Sequence, residues 1–289
     1  MNLLDEIKES FREGSALTRL IYINLGVFLL IRISNVFLFL AGIPFPFLDW
    51  LALPADFGML ASRPWTLLTY MFLHFDFLHI LFNLLWLYWM GQIFLSYFSQ
   101  EKLITIYLLG GITGGLFYIA GYNSFPAFSG MVTNSQLLGA SASVIAIVTA
   151  LAMYVPNHTI HLMFIGPVKM KYLALFSVLL YVIGISSSNA GGNLAHLGGA
   201  FWGVIYIIQL RRGIDLGKGL NRLISGAKKI FTPAPKVKVT YRKPVDDIDY
   251  NRIKNRNKTR MNEILEKISK SGYDSLSKEE KEILFRMGK

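Results

Sequence analysis

Apolar residues run through the first 210 positions in six long stretches, separated by polar or turn-forming breaks. They extend from Leu20 to Leu40, His79 to Phe98, Leu103 to Tyr122, Leu138 to Val155, Tyr172 to Ser186 and Asn193 to Leu210. A bilayer's hydrocarbon core takes about 20 apolar helical residues to cross. The pattern therefore predicts six transmembrane helices, the fourth short and stopped at Pro156. The expected fold class is an all-α integral membrane protein, with a six-helix bundle over residues 20–212. Ahead of it, residues 1–19 read as an amphipathic segment with Leu3, Leu4, Ile7 and Phe11 on one face. The loop from Gly42 to Leu73 is long yet apolar and aromatic (Phe45, Phe47, Trp50, Phe57, Trp65), which suits the outer membrane interface better than water.

After residue 212 the pattern changes. Leu216, Leu220, Leu223, Ile224 and Ile230 are set among Lys and Arg between Asp215 and Phe231, as expected of an amphipathic helix on a membrane surface. With the Pro-containing linker from Thr232 to Lys236, it makes up a segment 213–246. Residues 247–289 read as a small basic helical tail, two helices joined at Gly272 with the second starting at Ser275.

Charge gives the spans an expected direction. Residues 1–210 hold eight Lys/Arg and eight Asp/Glu, whereas residues 211–289 hold 21 and ten, so the net +11 lies entirely at the C-terminal end. Lys8, Arg12 and Arg19, Lys102, Lys169 and Lys171, and Arg211 and Arg212 all fall on one side of a six-span bundle. Basic residues mark the cytosolic side, so both termini are expected there. Arg32 interrupts the first span. No nucleic-acid-binding motif accompanies the basic tail, and no cleavable signal peptide is evident. The absence of cysteine excludes disulfides, thiolate metal sites and cysteine nucleophiles.

Polar groups at membrane depth are expensive and call for a reason. His158 and His161 read as solvated residues of the loop after the fourth span. His79 and Asn83 stand four apart, on one helical face; polar glue between helices is as good a reading as chemistry. Gly139-Ala140-Ser141-Ala142-Ser143 opens the fourth span, and such small residues usually serve close packing. Ser141 nonetheless sits where a helix N-terminus can stabilise an oxyanion. His196 lies about one turn into the sixth span, on a stripe of Ala195, Gly199 and Gly203. If that stripe packs on the fourth span, Ser141 and His196 stand at similar depth.

These elements follow one another in a recognisable order: Arg63-Pro64-Trp65 in the long outer loop, His74…His79…Asn83, Gly139-x-Ser141, and His196 before small residues. Over roughly 20–212 the chain resembles the rhomboid family of intramembrane serine proteases. The resemblance implies a serine–histidine dyad, with Ser141 the nucleophile and His196 the base. It implies an oxyanion hole from the Ser141 N–H, His79 and Asn83, and supporting roles for His74, Gly139 and Gly199. Implied partners are single-span transmembrane substrates, entering past the fifth span, and the bilayer of the cell (inner) membrane, with no nucleic acid, cofactor or metal. Residues Ser186 to Gly192 would form a lid. Two positions depart from the family pattern: Ala142 follows the serine where Gly is common, and Thr66 follows the loop tryptophan where Arg is common. A rhomboid-like protein that binds membrane helices without cutting them is an open alternative. A small transporter is another, although Arg32 is the single charge in the span cores. The sequence carries no His-Glu-x-x-His zinc motif and no pair of intramembrane aspartates, and it does not identify a partner for the tail.

Overall fold

The computed structural model describes residues 2–44, 47–162, 165–231 and 247–287. Phe45 and the linker from Thr232 to Lys236 lie outside the described residues, as do the side chains of Leu3, Ile224 and Ile230. The chain divides into two compact units, 1–232 and 233–289.

In the first unit the helices are α1 (Leu3–Glu13), α2 (Ala16–Leu40), α3 (Phe47–Leu51), α4 (Phe57–Ser62), α5 (Thr66–Thr69), α6 (Phe77–Leu95), α7 (Gln100–Ser124), α8 (Ser141–Tyr154), α9 (Met170–Ile183), α10 (Ala190–Arg211) and α11 (Lys218–Phe231). Among them α2, α6, α7 and α10 are long and apolar enough to cross a membrane; α8 and α9 are shorter apolar helices. The boundaries move for local reasons. α2 begins at Ala16 because Ser15 caps it, its hydroxyl accepting from the Thr18 N–H. α8 begins at Ser141 rather than Leu138, because Gly139 at φ 117° breaks the helical path.

Two antiparallel strand pairs modify the all-α expectation. β1 (Leu53–Pro54) pairs with β2 (Gln136–Leu137), joining the long aromatic loop to the segment that enters α8. β3 (Thr159–Leu162) and β4 (Gly166–Lys169) form a hairpin where an open loop was expected. His161 is exposed on β3, and half-buried His158 lies just before it, its Nδ1 3.4 Å from the Tyr97 hydroxyl.

The aromatic loop is folded on itself. Trp50 and Trp65 stack at 6.0 Å, and Trp65 Nε1 donates to the Trp50 carbonyl at 2.8 Å. Arg63 donates to the Asp49 carbonyl and lies 4.8 Å from the Trp50 ring. Thr66 is fully buried, its hydroxyl donating to the Arg63 carbonyl at 2.7 Å. Asp49 Oδ1 accepts from Gln136 Nε2 at 2.8 Å, a second tie between this loop and β2. Arg32 is placed outside the bundle core, its guanidinium 5.1 Å from the Phe75 ring.

The bundle is built around α8, whose residues from Ala142 to Leu151 are all buried. Between helices in lipid, close van der Waals packing replaces much of the hydrophobic drive, and glycine permits it here. A Cβ on Gly110 or Gly114 of α7 would stand 2.5 Å from the Ala146 Cβ or 2.6 Å from the Ala142 Cβ. On α10, a Cβ at Gly199 or Gly203 would stand 2.1 Å from the Ala142 carbonyl oxygen or 2.3 Å from that of Ala146. The Thr149 hydroxyl adds a hydrogen bond to the Ala200 carbonyl at 3.2 Å.

The second unit contains α12 (Asp247–Ser271) and α13 (Lys278–Met287), turned at Gly272 with φ 76°. The start of α13 is set by Ser277 rather than Ser275. The Ser277 hydroxyl accepts from the Glu280 N–H at 3.2 Å while Glu280 accepts from the Ser277 N–H at 2.7 Å, a reciprocal cap. Ser275 sits in the preceding turn and donates to the Gly272 carbonyl. Buried Ile264 and Leu276, with the Lys267–Glu280 pair at 2.9 Å, complete this unit's contacts between helices.

Candidate active site

The site forms where three chain segments meet at one end of the bundle. β2 delivers the chain to Gly139, whose N–H donates to the Tyr70 carbonyl at 3.0 Å. The positive φ of Gly139 then turns the chain so that Ser141 becomes the first residue of α8. The early N–H groups of a helix lack intrahelical partners, so this position presents donors as well as a hydroxyl. Gly139 is also required by contact: a Cβ there would stand 2.8 Å from His79 Cε1.

His196 projects from α10, and the close approach at Gly199 sets its distance from α8. Its Nε2 lies 2.6 Å from the Ser141 hydroxyl oxygen, within the reach a serine needs from its base. The Tyr181 ring of α9 covers the imidazole, centroids 4.4 Å apart. His196 Nδ1 has no hydrogen-bond partner among the described residues. No carboxylate therefore orients the ring there; packing between Tyr181 and α8 does so.

His79 and Asn83 come from the first two turns of α6, as their spacing implies. Asn83 is buried and uses one amide hydrogen on the His79 carbonyl at 2.8 Å, which leaves its second hydrogen available. Both residues line a cavity of about 520 Å³ with Ser141 and His196. It is also lined by Ser135 to Leu138 and by Ser188, Asn189, Gly191 and Gly192. Ser141 and Asn83 also border an apolar cavity of about 250 Å³ between α6, α8 and α9, lined by Phe82, Trp86 and Tyr181 among others. Among the described residues no cluster of His, Cys, Asp or Glu could hold a metal ion.

His74 lies in the loop ahead of α6, edge-on to His79 at 5.1 Å. Its Nε2 accepts from the Ala140 N–H at 3.3 Å, the peptide just before the serine. It is 2% exposed, and burial, followed by the neighbouring His79, lowers its pKa from the ordinary 6.5 to about 4. An unfolded His74 takes up a proton below about pH 6.5, but the folded one resists until about pH 4. Stability is therefore lost as pH falls through that window. In His74→Gln, which keeps an acceptor but cannot titrate, thermal unfolding measured between pH 7 and 4.5 should fall less steeply than in wild type. Identical slopes would remove His74 from this role.

The site includes one residue that the sequence did not mark, and one sequence reading changes. Tyr181 had no signal in the sequence, since an aromatic residue within an apolar helix looks like any lipid-facing ring. The expected lid from Ser186 to Gly192 contracts, because α10 already begins at Ala190. Asn193 Nδ2 also ties this segment down, donating to the Gly184 and Asn189 carbonyls at 2.7 and 3.0 Å.

Comparison with known proteins follows the same ground. Residues 61–213, just over half of the chain, match the rhomboid domain family. Residues 245–289 match a family of unknown function. The chain is 30% identical over 162 residues to RHOMBOID-like protein 12, mitochondrial, of Arabidopsis thaliana, covering 53% of this chain and 48% of that protein. It is 37% identical over 82 residues to the rhomboid protease GlpG of Salmonella newport, 28% of this chain and 29% of that one. The chain thus spans about half the length of the first relative and under a third of the second.

Proposed function

The chain belongs to the rhomboid family, and from that premise we propose that it is an intramembrane serine endopeptidase working by a Ser141–His196 dyad. Family membership and its apolar helices make it a multi-pass membrane protein. In the proposed topology α2, α6, α7, α8, α9 and α10 all cross the cell (inner) membrane. Both termini are then cytosolic and Ser141 lies towards the outer face. The positions of Lys102, Lys169, Lys171, Arg211 and Arg212, all at or next to helix ends, support this direction.

The observation that carries the reading is the 2.6 Å approach of His196 Nε2 to the Ser141 hydroxyl across two helices. In the reaction, Nε2 takes the hydroxyl proton as Ser141 Oγ bonds to the scissile carbonyl carbon. The carbonyl oxygen becomes an oxyanion, met by the Ser141 N–H at the start of α8, by His79 and by the free hydrogen of Asn83. His196 then passes its proton to the leaving amine. Water deprotonated by the same ring releases the acyl group and restores the serine. The substrate is a single-span protein whose helix is locally unwound, because a regular helix hides its carbonyls in hydrogen bonds. The cavity of about 520 Å³ beside Ser141 supports the reading, since it offers space next to the serine and histidine.

The test uses purified protein in vesicles with a single-span substrate carrying helix-breaking residues near its outer end. Cleavage, together with a fluorophosphonate adduct mapped to Ser141, is the expected result. A protein that neither cleaves nor labels would instead be a rhomboid-like binder of membrane helices. Within the proposed mechanism, Asn83→Ala should lower kcat by about 10²–10³, with a much smaller change in KM, as expected for losing one oxyanion donor. An unchanged kcat would take Asn83 out of the hole.

A further inference from the structure

At the bundle end opposite Ser141, where Arg211 donates to the Met153 carbonyl at 2.7 Å, the chain leaves α10 and enters α11. The start of α11 is fixed. Gly217 is pressed on α7: a Cβ there would stand 2.7 Å from both Cγ2 and Oγ1 of Thr105. Asp215 Oδ1 accepts from the Gly217 N–H at 2.8 Å, and the Thr105 hydroxyl donates to Asn221 Oδ1 at 3.4 Å.

Beyond this anchor Arg222, Leu223 and Gly226 are exposed. Among the described residues nothing comes within 4 Å of a Cβ built at Gly219 or Gly226. Leu223 is 73% exposed, and Ile214, just before the helix, 52%. At about 100° per residue, positions 216, 220, 223, 224 and 230 share one arc of the helix, and all are Leu or Ile. Lys218, Arg222, Lys228 and Lys229 occupy the other. Between 211 and 231 there are six basic residues and one acidic residue. Elsewhere in this unit α2 and α9 expose Leu29, Leu30, Leu175 and Phe176, the apolar belt expected to face acyl chains in a multi-pass protein.

We propose that α11 is an anionic-phospholipid-binding element. Its apolar arc enters the leaflet at this end of the bundle, and its cationic arc lies on the headgroups. Charge complementarity selects this occupant: a leaflet carrying anionic lipid offers an apolar layer and a negative layer at the spacing an amphipathic helix requires. The anchor on Thr105 holds the start of the helix against α7. The inference rests on membership of a membrane-protein family and not on proteolysis, so its readout involves no cleavage.

The chain contains no cysteine, so Leu223→Cys and Lys218→Cys each give one labelling site in the full-length protein. Each is labelled with a polarity-sensitive fluorophore and reconstituted into vesicles of phosphatidylcholine alone or with about 30% phosphatidylglycerol. With phosphatidylglycerol present, the probe at 223 should be quenched by a spin-labelled lipid about threefold more than in phosphatidylcholine alone. The probe at 218 should stay open to aqueous acrylamide. The difference between vesicles should shrink at about 0.5 M salt, and vanish when Lys218, Arg222, Lys228 and Lys229 are all changed to Glu. Acrylamide access at 223 in both vesicles would overturn the proposal. So would equal lipid quenching in both, which leaves no role for headgroup charge. Shielding from both quenchers would overturn it too, since protein would then cover the helix.

Discussion

Replacing Ser141 by alanine is expected to reduce cleavage of a single-span substrate by about 10⁴-fold or more, with the protein still folded. Ser141 is the first residue of α8 and partly exposed to the cavity, so loss of its hydroxyl opens no void in the core. What is lost is the 2.6 Å hydrogen bond to His196 Nε2, which in the proposed mechanism activates the nucleophile. His196→Ala should cost a similar factor, because a serine without its base is a weak nucleophile at neutral pH. The double variant should be no slower than either single one, since a nucleophile and its base act as one unit. Rates from vesicle-reconstituted protein, with thermal unfolding as the control for folding, decide the matter. If either single variant retains wild-type cleavage, the dyad assignment fails; additive losses in the double variant would mean that the two residues work separately.

The second large effect is expected from one methyl group. In Gly199→Ala the new Cβ would stand 2.1 Å from the Ala142 carbonyl oxygen, whereas real Cβ contacts essentially never fall below 3.0 Å. The shortfall is 0.9 Å, and the obstructing atom is backbone, so no rotamer change relieves it. α10 must then shift away from α8 or tilt. Overpacking of this kind costs about 1–3 kcal/mol, which should appear as a clear fall in Tm. The same shift lengthens the Ser141–His196 distance, and a displacement near 1 Å can lower a rate by about 10². Stability and activity should therefore fall together. Gly26→Ala in α2 is the matched control: no atom lies within 4 Å of its added Cβ, and alanine is the better helix residue by about 0.5–1 kcal/mol. A Gly199→Ala protein with unchanged Tm and rate would show that the two helices have room to spare.

Hydropathy and helical spacing are local properties, and what depended on them could be read in advance. The apolar stretches, the shared face of His79 and Asn83, and the small-residue stripe through Gly199 and Gly203 are of this kind. Charge at the stretch ends then gave an alternation of direction, from which Ser141 and His196 were expected to meet. Features that depend on distant partners were not legible. The two-residue β1–β2 ladder joins positions over eighty apart, and nothing in either dipeptide announces it. The tilt of Tyr181 over His196 depends on how α9 leans on α10. The start of α8 was misplaced because a hydropathy window passes over Gly139, whose positive φ matters more than its polarity. The expected lid segment is shorter for a related reason: Gly191 and Gly192 look like loop residues, but both lie in α10, where Gly191 fits against the Tyr118 ring.

The central helix has one more consequence. α8 has 14 residues, a rise of about 21 Å, against about 30 Å for a hydrocarbon core. In the proposed topology, with its far end at the opposite interface, its Ser141 end would stop well short of the near one. Ser141 would then sit at the bottom of a well sunk into the leaflet, with the cavity it lines as the shaft of that well. On the proposed mechanism, each turnover would draw one water molecule down this shaft to free the acyl group. On that reading the brevity of α8 would set the depth at which a membrane helix is cut, with water a reactant supplied by a narrow route.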